Sequence, residues 1–103
     1  MTRGDVHRID LAGRGRAQRG PRFAVVVQAD ELLGLSTVLV APTSRSAAPA
    51  TFRPVIDVAG DTTRVLVEQT RAVDLERLGA SAGHLSPREL RAVDEALELV
   101  LGL

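Results

Sequence analysis

The sequence has 103 residues, which is enough for one domain and too few for two, so residues 1–103 are treated as a single domain. It has no cysteine and no apolar run near the ~20 residues that cross a bilayer, which excludes disulfide frameworks, thiol catalysis and a membrane-spanning helix. The net charge is zero, yet all thirteen basic residues are arginines, and residues 1–22 hold six of them against two acids. Such a basic pole can attract phosphate. Because the first residues begin no signal peptide, we expect a cytoplasmic protein.

Short apolar runs predict a strand-rich chain. Alternating or continuous apolar residues predict strands at 6–11, 23–27, 36–41, 52–58, 63–68 and 79–85. Pro42 is predicted to end the third strand, and Pro54 favours an edge position or a bulge in the fourth. The stretches 12–21 and 43–50 hold small, polar or glycine residues without periodicity and are predicted to be exposed loops. A turn or brief helical segment is predicted at 30–34, and a single helical turn at 73–78.

The C-terminal segment carries the clearest helix pattern. Ser86 suits the N-cap, Pro87 suits the first helical position, and Glu89 completes a capping box with Ser86. Apolar residues then recur at helical spacing on one face, at Leu90, Val93, Leu97, Val100 and Leu101. The expected fold is therefore mainly β, with short hairpin-connected strands closed by one amphipathic helix.

Most enzyme sites are excluded by the residues themselves. The two histidines, His7 and His84, have no second ligand at metal spacing, and the acids do not converge. No phosphate-binding loop, nucleophile elbow or cofactor fingerprint occurs, so we expect neither a metal nor a cofactor. What remains is Arg22 at the start of one buried strand, with Thr43 and Ser44 after another. An arginine fork and hydroxyls on strand ends suit a phosphodiester, although an acid-paired Arg22 and ordinary turn residues after Pro42 fit the sequence as well.

An ordered set of motifs runs along nearly the whole chain. They are Arg3-Gly4-Asp5-Val6, the arginine- and glycine-rich loop, Arg22-Phe23-Ala24-Val25-Val26-Val27, Val40-Ala41-Pro42-Thr43-Ser44, Arg64-Val65-Leu66-Val67-Glu68-Gln69-Thr70 and Gly83-His84-Leu85-Ser86. In this order and spacing the sequence resembles the MazF/PemK toxin family. The resemblance implies a small SH3-like barrel or sheet of the CcdB/MazF type with a C-terminal helix, and it implies a homodimer.

The resemblance also implies an activity, that of a sequence-selective endoribonuclease (an mRNA interferase) that cuts single-stranded RNA without a metal. In this reaction the ribose 2′-hydroxyl attacks the adjacent phosphate and leaves a 2′,3′-cyclic phosphate and a 5′-hydroxyl. A cognate MazE-like antitoxin would silence the enzyme.

Site residues carry over from the family to particular positions of this sequence. The catalytic arginine falls on Arg22 and the catalytic threonine on Thr43. The other candidates are RNA-binding residues, namely Arg14, Arg16, Arg19, Ser44, Gln69 and His7. The three loop arginines are expected to grip phosphates. The position of His7 often holds a large aromatic residue in the family, so its ring is expected to offer a modest stacking surface.

Two departures from the family pattern leave alternatives open. Pro21 precedes Arg22 instead of following it, and Ala17 stands where several members carry a glutamate that could assist catalysis. The acceptor of the 2′-hydroxyl proton is therefore unassigned. One alternative is a degenerate toxin of low activity. The other is a non-enzymatic DNA gyrase poison of the CcdB type, which is disfavoured because that branch typically ends in Trp-Gly-Ile, whereas this chain has no tryptophan and ends Leu101-Gly102-Leu103.

Overall fold

The computed structural model describes residues 1–10 and 22–103, and this part of the chain forms seven strands, one α-helix and three 3₁₀ turns. The strands are β1 (Asp5–Ile9), β2 (Phe23–Val26), β3 (Thr37–Ser44), β4 (Val55–Val58), β5 (Asp61–Val65), β6 (Arg71–Asp74) and β7 (Leu78–His84). The helix is α1 (Pro87–Leu101), and the 3₁₀ turns lie at Asp30–Leu32, Val67–Gln69 and Leu75–Arg77. None of these described helices has the length and apolar character needed to cross a membrane.

The strands form one antiparallel sheet in the order β4-β5-β3-β2-β1-β7, with β6 also paired to β3. β3 is central because it has two successive partners along one side. Its residues 37–40 pair with β6, and its residues 43 and 44 pair with β5. The sheet curls around this strand, and α1 packs against it. The mainly β fold with a C-terminal helix that the sequence predicts is confirmed.

β3 does not end at Pro42, and this part of the sequence prediction is wrong. The strand continues to Ser44, so Thr43 and Ser44 are strand residues and the loop starts at Arg45. Pro42 lies where β3 changes partner from β6 to β5, and its carbonyl accepts a hydrogen bond from the Leu66 amide at 2.8 Å. At such a gap between two partner strands, a missing N–H removes no ladder hydrogen bond.

Apolar side chains form a separate cluster on each face of the sheet. β2 is buried on both faces, as its continuous apolar run predicts, because Val25 and Val27 lie in one cluster and Ala24 and Val26 in the other. The first cluster joins the sheet to α1 and also contains Val6, Ala41, Ile56, Val58, Val65, Val67, Leu85, Val93 and Ala96. The second also contains Ile9, Val38, Val40 and Val73. β2 is thus a rigid support for the residues at its ends.

The start of α1 has the predicted capping box. Ser86 Oγ accepts a hydrogen bond from the Glu89 amide at 3.1 Å, and Glu89 Oε1 accepts one from the Ser86 amide at 2.9 Å. Gly102 ends the helix in the left-handed conformation, with φ of 70°. Glu89 Oε2 accepts a further hydrogen bond from the Asp57 amide at 2.9 Å, which ties the start of the helix to β4.

The other elements differ from the sequence prediction mainly at their boundaries. β4 begins after Pro54 and lies at the sheet edge, as predicted. β6 was not predicted, because Val73 is the one buried residue of its four and the apolar pattern is too short. The helical turn predicted at 73–78 is a 3₁₀ turn that follows β6. β1 ends at Ile9 and Asp10 is outside it, so the strand predicted at 6–11 ends earlier than expected. The prediction that 12–21 form a loop lies outside the described residues.

Candidate functional site

The start of β2 and the end of β3 lie side by side, because the two strands are antiparallel. Their register places Ala24 opposite Pro42. Continued by two residues, the same register places Thr43 opposite Phe23 and Ser44 opposite Arg22. The strand pairing thus brings the backbones of Arg22, Thr43 and Ser44 to one end of the sheet. Because successive side chains point to opposite faces, Arg22 and Ser44 share one face there, and Thr43 lies with Phe23 on the other.

The backbone of Arg22 is fixed, while its side chain has no partner among the described residues. The Arg22 carbonyl accepts a hydrogen bond from the Ile9 amide at 3.1 Å, which continues the ladder between β1 and β2. Its side chain is half-buried, Nε is buried without a hydrogen-bond partner, and the guanidinium forms no ion pair in the described part of the chain. By contrast, the Arg53 guanidinium lies 2.7 Å from the Glu68 carboxylate. Buried N–H donors nearly always have an acceptor, so this group suits an external anion.

The two hydroxyls at the end of β3 differ in their access to solvent. Thr43 is 4% exposed, and its Oγ1 donates a hydrogen bond to the Phe23 carbonyl at 3.2 Å. Ser44 is half-buried, and its Oγ lies 3.3 Å from Ser46 Oγ. To donate a hydrogen bond to a phosphate oxygen, the Thr43 hydroxyl would have to give up its hydrogen bond to the Phe23 carbonyl. The Thr43 hydroxyl is therefore buried and already engaged by the Phe23 carbonyl.

His7 lies on β1 beside this strand end. It pairs with Ala24, so its side chain emerges on the same face of the sheet as those of Ile9 and Arg22. Its Nδ1 lies 3.0 Å from the Gly79 carbonyl on β7, and its Nε2 is buried with no partner among the described residues. The ring predicted to be a stacking surface is thus half-buried and fixed at one nitrogen.

The other residues predicted to bind RNA lie further away or outside the described chain. Gln69 is exposed at the end of the 3₁₀ turn after β5, and its backbone amide donates to the Leu66 carbonyl at 2.9 Å. This turn borders the site because the Leu66 amide in turn donates to the Pro42 carbonyl on β3. Outside the described residues lie Arg14, Arg16, Arg19 and the substituted glutamate position, Ala17.

One nearby pair has no counterpart in the sequence-based prediction. Arg8 pairs with Phe23 across β1 and β2, and the Arg8 guanidinium carbon lies 5.6 Å from the centre of the Phe23 ring. Nucleobases stack both on aromatic rings and on guanidinium planes. The two residues are far apart in sequence, so the strand register alone reveals their contact.

The arrangement as a whole suits a phosphodiester. An unpaired guanidinium can stabilise negative charge on phosphate oxygens, hydroxyls can donate hydrogen bonds, and an imidazole nitrogen can accept a proton. Among residues 1–10 and 22–103, no three His, Asp or Glu side chains are grouped as metal ligands.

Known proteins with similar sequences are named as toxins or endoribonucleases of the MazF type. The family model described as PemK-like, MazF-like toxin of type II toxin–antitoxin system matches residues 2–101. Protein Rv3098A of Mycobacterium tuberculosis, named as a candidate toxin, is 41% identical over 106 residues, which cover 100% of this chain and 99% of that protein. The endoribonuclease MazF9 of the same organism is 34% identical over 115 residues, which cover 100% of this chain and 98% of the relative.

Solved structures give the same fold at lower sequence identity. A mycobacterial endoribonuclease in complex with its cognate antitoxin superposes with a TM-score of 0.85 at 19% identity, and the match covers 100% of this chain and 96% of that one. MazF of Deinococcus radiodurans gives a TM-score of 0.83 at 20% identity, with 100% of this chain and 97% of that one covered. On the family match over residues 2–101 and the full-length relatives, this chain belongs to the PemK-like, MazF-like toxin family of type II toxin–antitoxin systems.

Proposed function

We propose that this chain is an endoribonuclease toxin that cuts single-stranded RNA, with Arg22 and Thr43 at the reaction centre. Within the structure, the proposal rests on the Arg22 guanidinium, which has no partner among the described residues, and on the strand register that places Arg22 opposite Ser44 and next to Thr43 at the end of the sheet. Two full-length relatives, MazF9 of M. tuberculosis and MazF of Staphylococcus saprophyticus at 31% identity, are named as endoribonucleases. These relatives favour cleavage of RNA over poisoning of DNA gyrase.

In the proposed reaction the ribose 2′-oxygen attacks the adjacent phosphorus, and the 5′-oxygen of the next nucleotide leaves. Negative charge grows on the non-bridging oxygens of the phosphorane, and the Arg22 guanidinium stabilises it. A guanidinium stays protonated at neutral pH and is a poor proton acceptor, so the contribution of Arg22 is electrostatic. Thr43 donates a second hydrogen bond to the phosphate after exchanging it for the one to the Phe23 carbonyl. The products are a 2′,3′-cyclic phosphate and a 5′-hydroxyl.

The RNA on either side of the cut is held by further polar groups. Ser44 and Gln69 border the reaction centre and contact the nucleotides beside it. Arg14, Arg16 and Arg19 contact phosphates, which provides affinity and salt dependence but no choice of sequence.

Partners and location follow from the same proposal. Structures of similar fold include toxins bound to antitoxins, among them the mycobacterial complex and MazE-MazF of D. radiodurans. A MazE-like antitoxin covers the RNA site of this chain, the active form is a homodimer, and both act in the cytoplasm, where the RNA substrate is found.

A cleavage assay tests the proposal. Purified protein without antitoxin is incubated in EDTA with a long unstructured RNA, and primer extension maps the cuts. Wild type is expected to cut at discrete positions, and Arg22→Ala is expected to lower the rate at least ~10²-fold, as loss of a charge-stabilising donor does in other enzymes.

The matched control is Arg91→Ala, because Arg91 is an exposed residue of α1 and belongs to none of the candidate site contacts. This variant should cut RNA as wild type does. Cuts that persist in Arg22→Ala would contradict the assigned site. An intact RNA after incubation with folded wild-type protein would contradict the activity and favour a degenerate toxin.

A further inference from the structure

Two buried nitrogens beside the strand end have no hydrogen-bond partner in the described part of the chain. One is Nε of Arg22, which is a donor, and the other is Nε2 of His7. A buried polar atom without a partner loses the hydrogen bonds that water would give it, so such atoms are rare in folded proteins and concentrate where a ligand binds. Arg22 Nε needs an acceptor. His7 Nε2 needs a donor when the ring proton is on Nδ1.

The strand register places the two nitrogens on one face of the sheet. β1 and β2 pair with Val6 opposite Val25 and His7 opposite Ala24, and the ladder continues to the hydrogen bond from the Ile9 amide to the Arg22 carbonyl. Arg22 is thus the diagonal neighbour of His7 across two adjacent strands. Residues in this relation lie roughly 7–8 Å apart at the backbone, within reach of long and aromatic side chains.

The tautomer of His7 is fixed by its other nitrogen. Nδ1 lies 3.0 Å from the Gly79 carbonyl oxygen, and a carbonyl oxygen only accepts hydrogen bonds. Nδ1 therefore carries the ring proton of the neutral imidazole, and Nε2 presents a free lone pair. A backbone carbonyl that holds one ring nitrogen leaves the other available as a base.

We propose that His7 Nε2 accepts the proton of the attacking ribose 2′-hydroxyl. The inference deepens the proposed ribonuclease function and rests on it. A ribose 2′-hydroxyl is a donor placed next to a phosphate, whose oxygens are acceptors, so one RNA linkage satisfies both unpartnered nitrogens at once: the hydroxyl on His7 Nε2 and a non-bridging oxygen on Arg22 Nε. Arg22 and Thr43 cannot take this role efficiently, because a guanidinium is already protonated at neutral pH and a threonine hydroxyl is a very weak base.

The step balances without any further reagent. As the 2′-oxygen forms its bond to phosphorus, its proton passes to His7 Nε2 and the ring becomes an imidazolium. The bond from phosphorus to the 5′-oxygen breaks with its electron pair, and that oxygen takes a proton from solvent water. The imidazolium then returns its proton to solvent.

Replacement of the His7 imidazole by a phenyl ring separates a role in proton transfer from a role in base stacking. His7→Phe keeps a flat aromatic side chain and removes the lone pair. The rate of cleavage of a short RNA at the mapped cut site is expected to fall ~10²–10⁴-fold, as is usual when a general base is lost. The affinity for the same RNA with a 2′-deoxy nucleotide at the cut should change less than about threefold, because the ring surface remains. The control is His84→Phe, since His84 is held by Asp5 at 2.6 Å and is expected to leave cleavage unchanged.

Chemical rescue provides a second measurement that does not depend on how well a ring is tolerated. In His7→Gly, added imidazole should restore cleavage in proportion to its concentration, while Arg22→Ala should not respond. The proposal is overturned if His7→Phe cuts as fast as wild type, or if imidazole leaves His7→Gly unchanged. Either outcome leaves the ribonuclease function standing as long as wild type cuts and Arg22→Ala does not. Wild type that does not cut removes both proposals.

Discussion

At the start of β2 the Arg22 guanidinium has no carboxylate beside it in the described chain, whereas Arg53 contacts Glu68 through two of its nitrogens, at 2.7 and 2.9 Å. The two arginines therefore differ in what they contribute. Arg53 links the loop before β4 to the turn after β5. The Arg22 side chain contacts no partner among the described residues. An unpaired charge that is kept for binding generally lowers the stability of the folded protein.

This contrast predicts opposite effects of the same substitution. Arg22→Gln should leave the free energy of unfolding unchanged or raise it, within about 1 kcal/mol, while removing activity. Arg53→Gln should lower the free energy of unfolding by about 1 kcal/mol, because the half-buried Glu68 loses its charged donors, and should leave activity in place. Urea unfolding followed by circular dichroism measures both. An Arg22→Gln variant that loses more stability than Arg53→Gln would show that Arg22 is structural.

The sequence indicates candidate site residues, but it does not predict which of them lie near one another. Arg22 could be placed at a strand start because the apolar run after it is continuous and local. The link between His7 and Arg22 depends on the pairing of β1 with β2, and the bond from Thr43 to Phe23 depends on β2 with β3. These are non-local registers, which no single segment of sequence specifies.

Among the elements, α1 is the most predictable, whereas the presence of β6 and the course of β3 beyond Ala41 were not predicted. The capping box of Ser86 and Glu89 needs only three residues of spacing, so the helix start follows from the sequence alone. The passage of β3 through Pro42 could not be predicted, because a proline normally interrupts a central strand and is accepted here at a change of partner strand.

Glu89 gives the start of α1 a dependence on pH. Burial by itself would raise the pKa of its carboxyl group, but the hydrogen bonds from the Ser86 and Asp57 amides outweigh burial and hold the pKa below its ordinary value. A carboxylate whose pKa is lower in the folded state contributes stability above its unfolded pKa of about 4.3, and that stability is lost as the pH falls through the folded pKa.

Glu89→Gln should therefore be less stable than wild type at pH 7, by about 1 kcal/mol for a weakened cap. The difference between the two proteins should shrink as the pH falls below the ordinary value for a glutamate. Urea unfolding at pH 7 and pH 3 measures this, with Glu95→Gln, an exposed position on the same helix, as the control. A difference that stays constant or widens toward pH 3 would contradict the role given to the carboxylate.

Over the whole molecule, a net charge of zero conceals a basic N-terminal segment. If Arg14, Arg16 and Arg19 each contact a phosphate, RNA binding releases counterions in proportion to the number of contacts. For single-stranded nucleic acid, the slope of log affinity against log salt changes by about 0.7 for each contact.

Replacement of these three arginines by glutamine should therefore reduce the magnitude of the slope by about 2 and weaken binding at low salt, while the positions of the cuts stay the same. Fluorescence anisotropy with a non-cleavable RNA over a range of salt concentrations gives the slope. An unchanged slope would remove these residues from the RNA interface.

In the proposed reaction the ribose 2′-hydroxyl of the RNA is the nucleophile, and this chain needs no metal to use it. The most direct measurement is mass spectrometry of the products that the purified protein forms in EDTA from two oligonucleotides, one all-ribose and one with a single 2′-deoxy nucleotide at the mapped cut. We expect a 2′,3′-cyclic phosphate and a 5′-hydroxyl from the first and no cleavage of the second. Cleavage of the deoxy-substituted strand, or products with a 5′-phosphate and a 3′-hydroxyl, would contradict the mechanism.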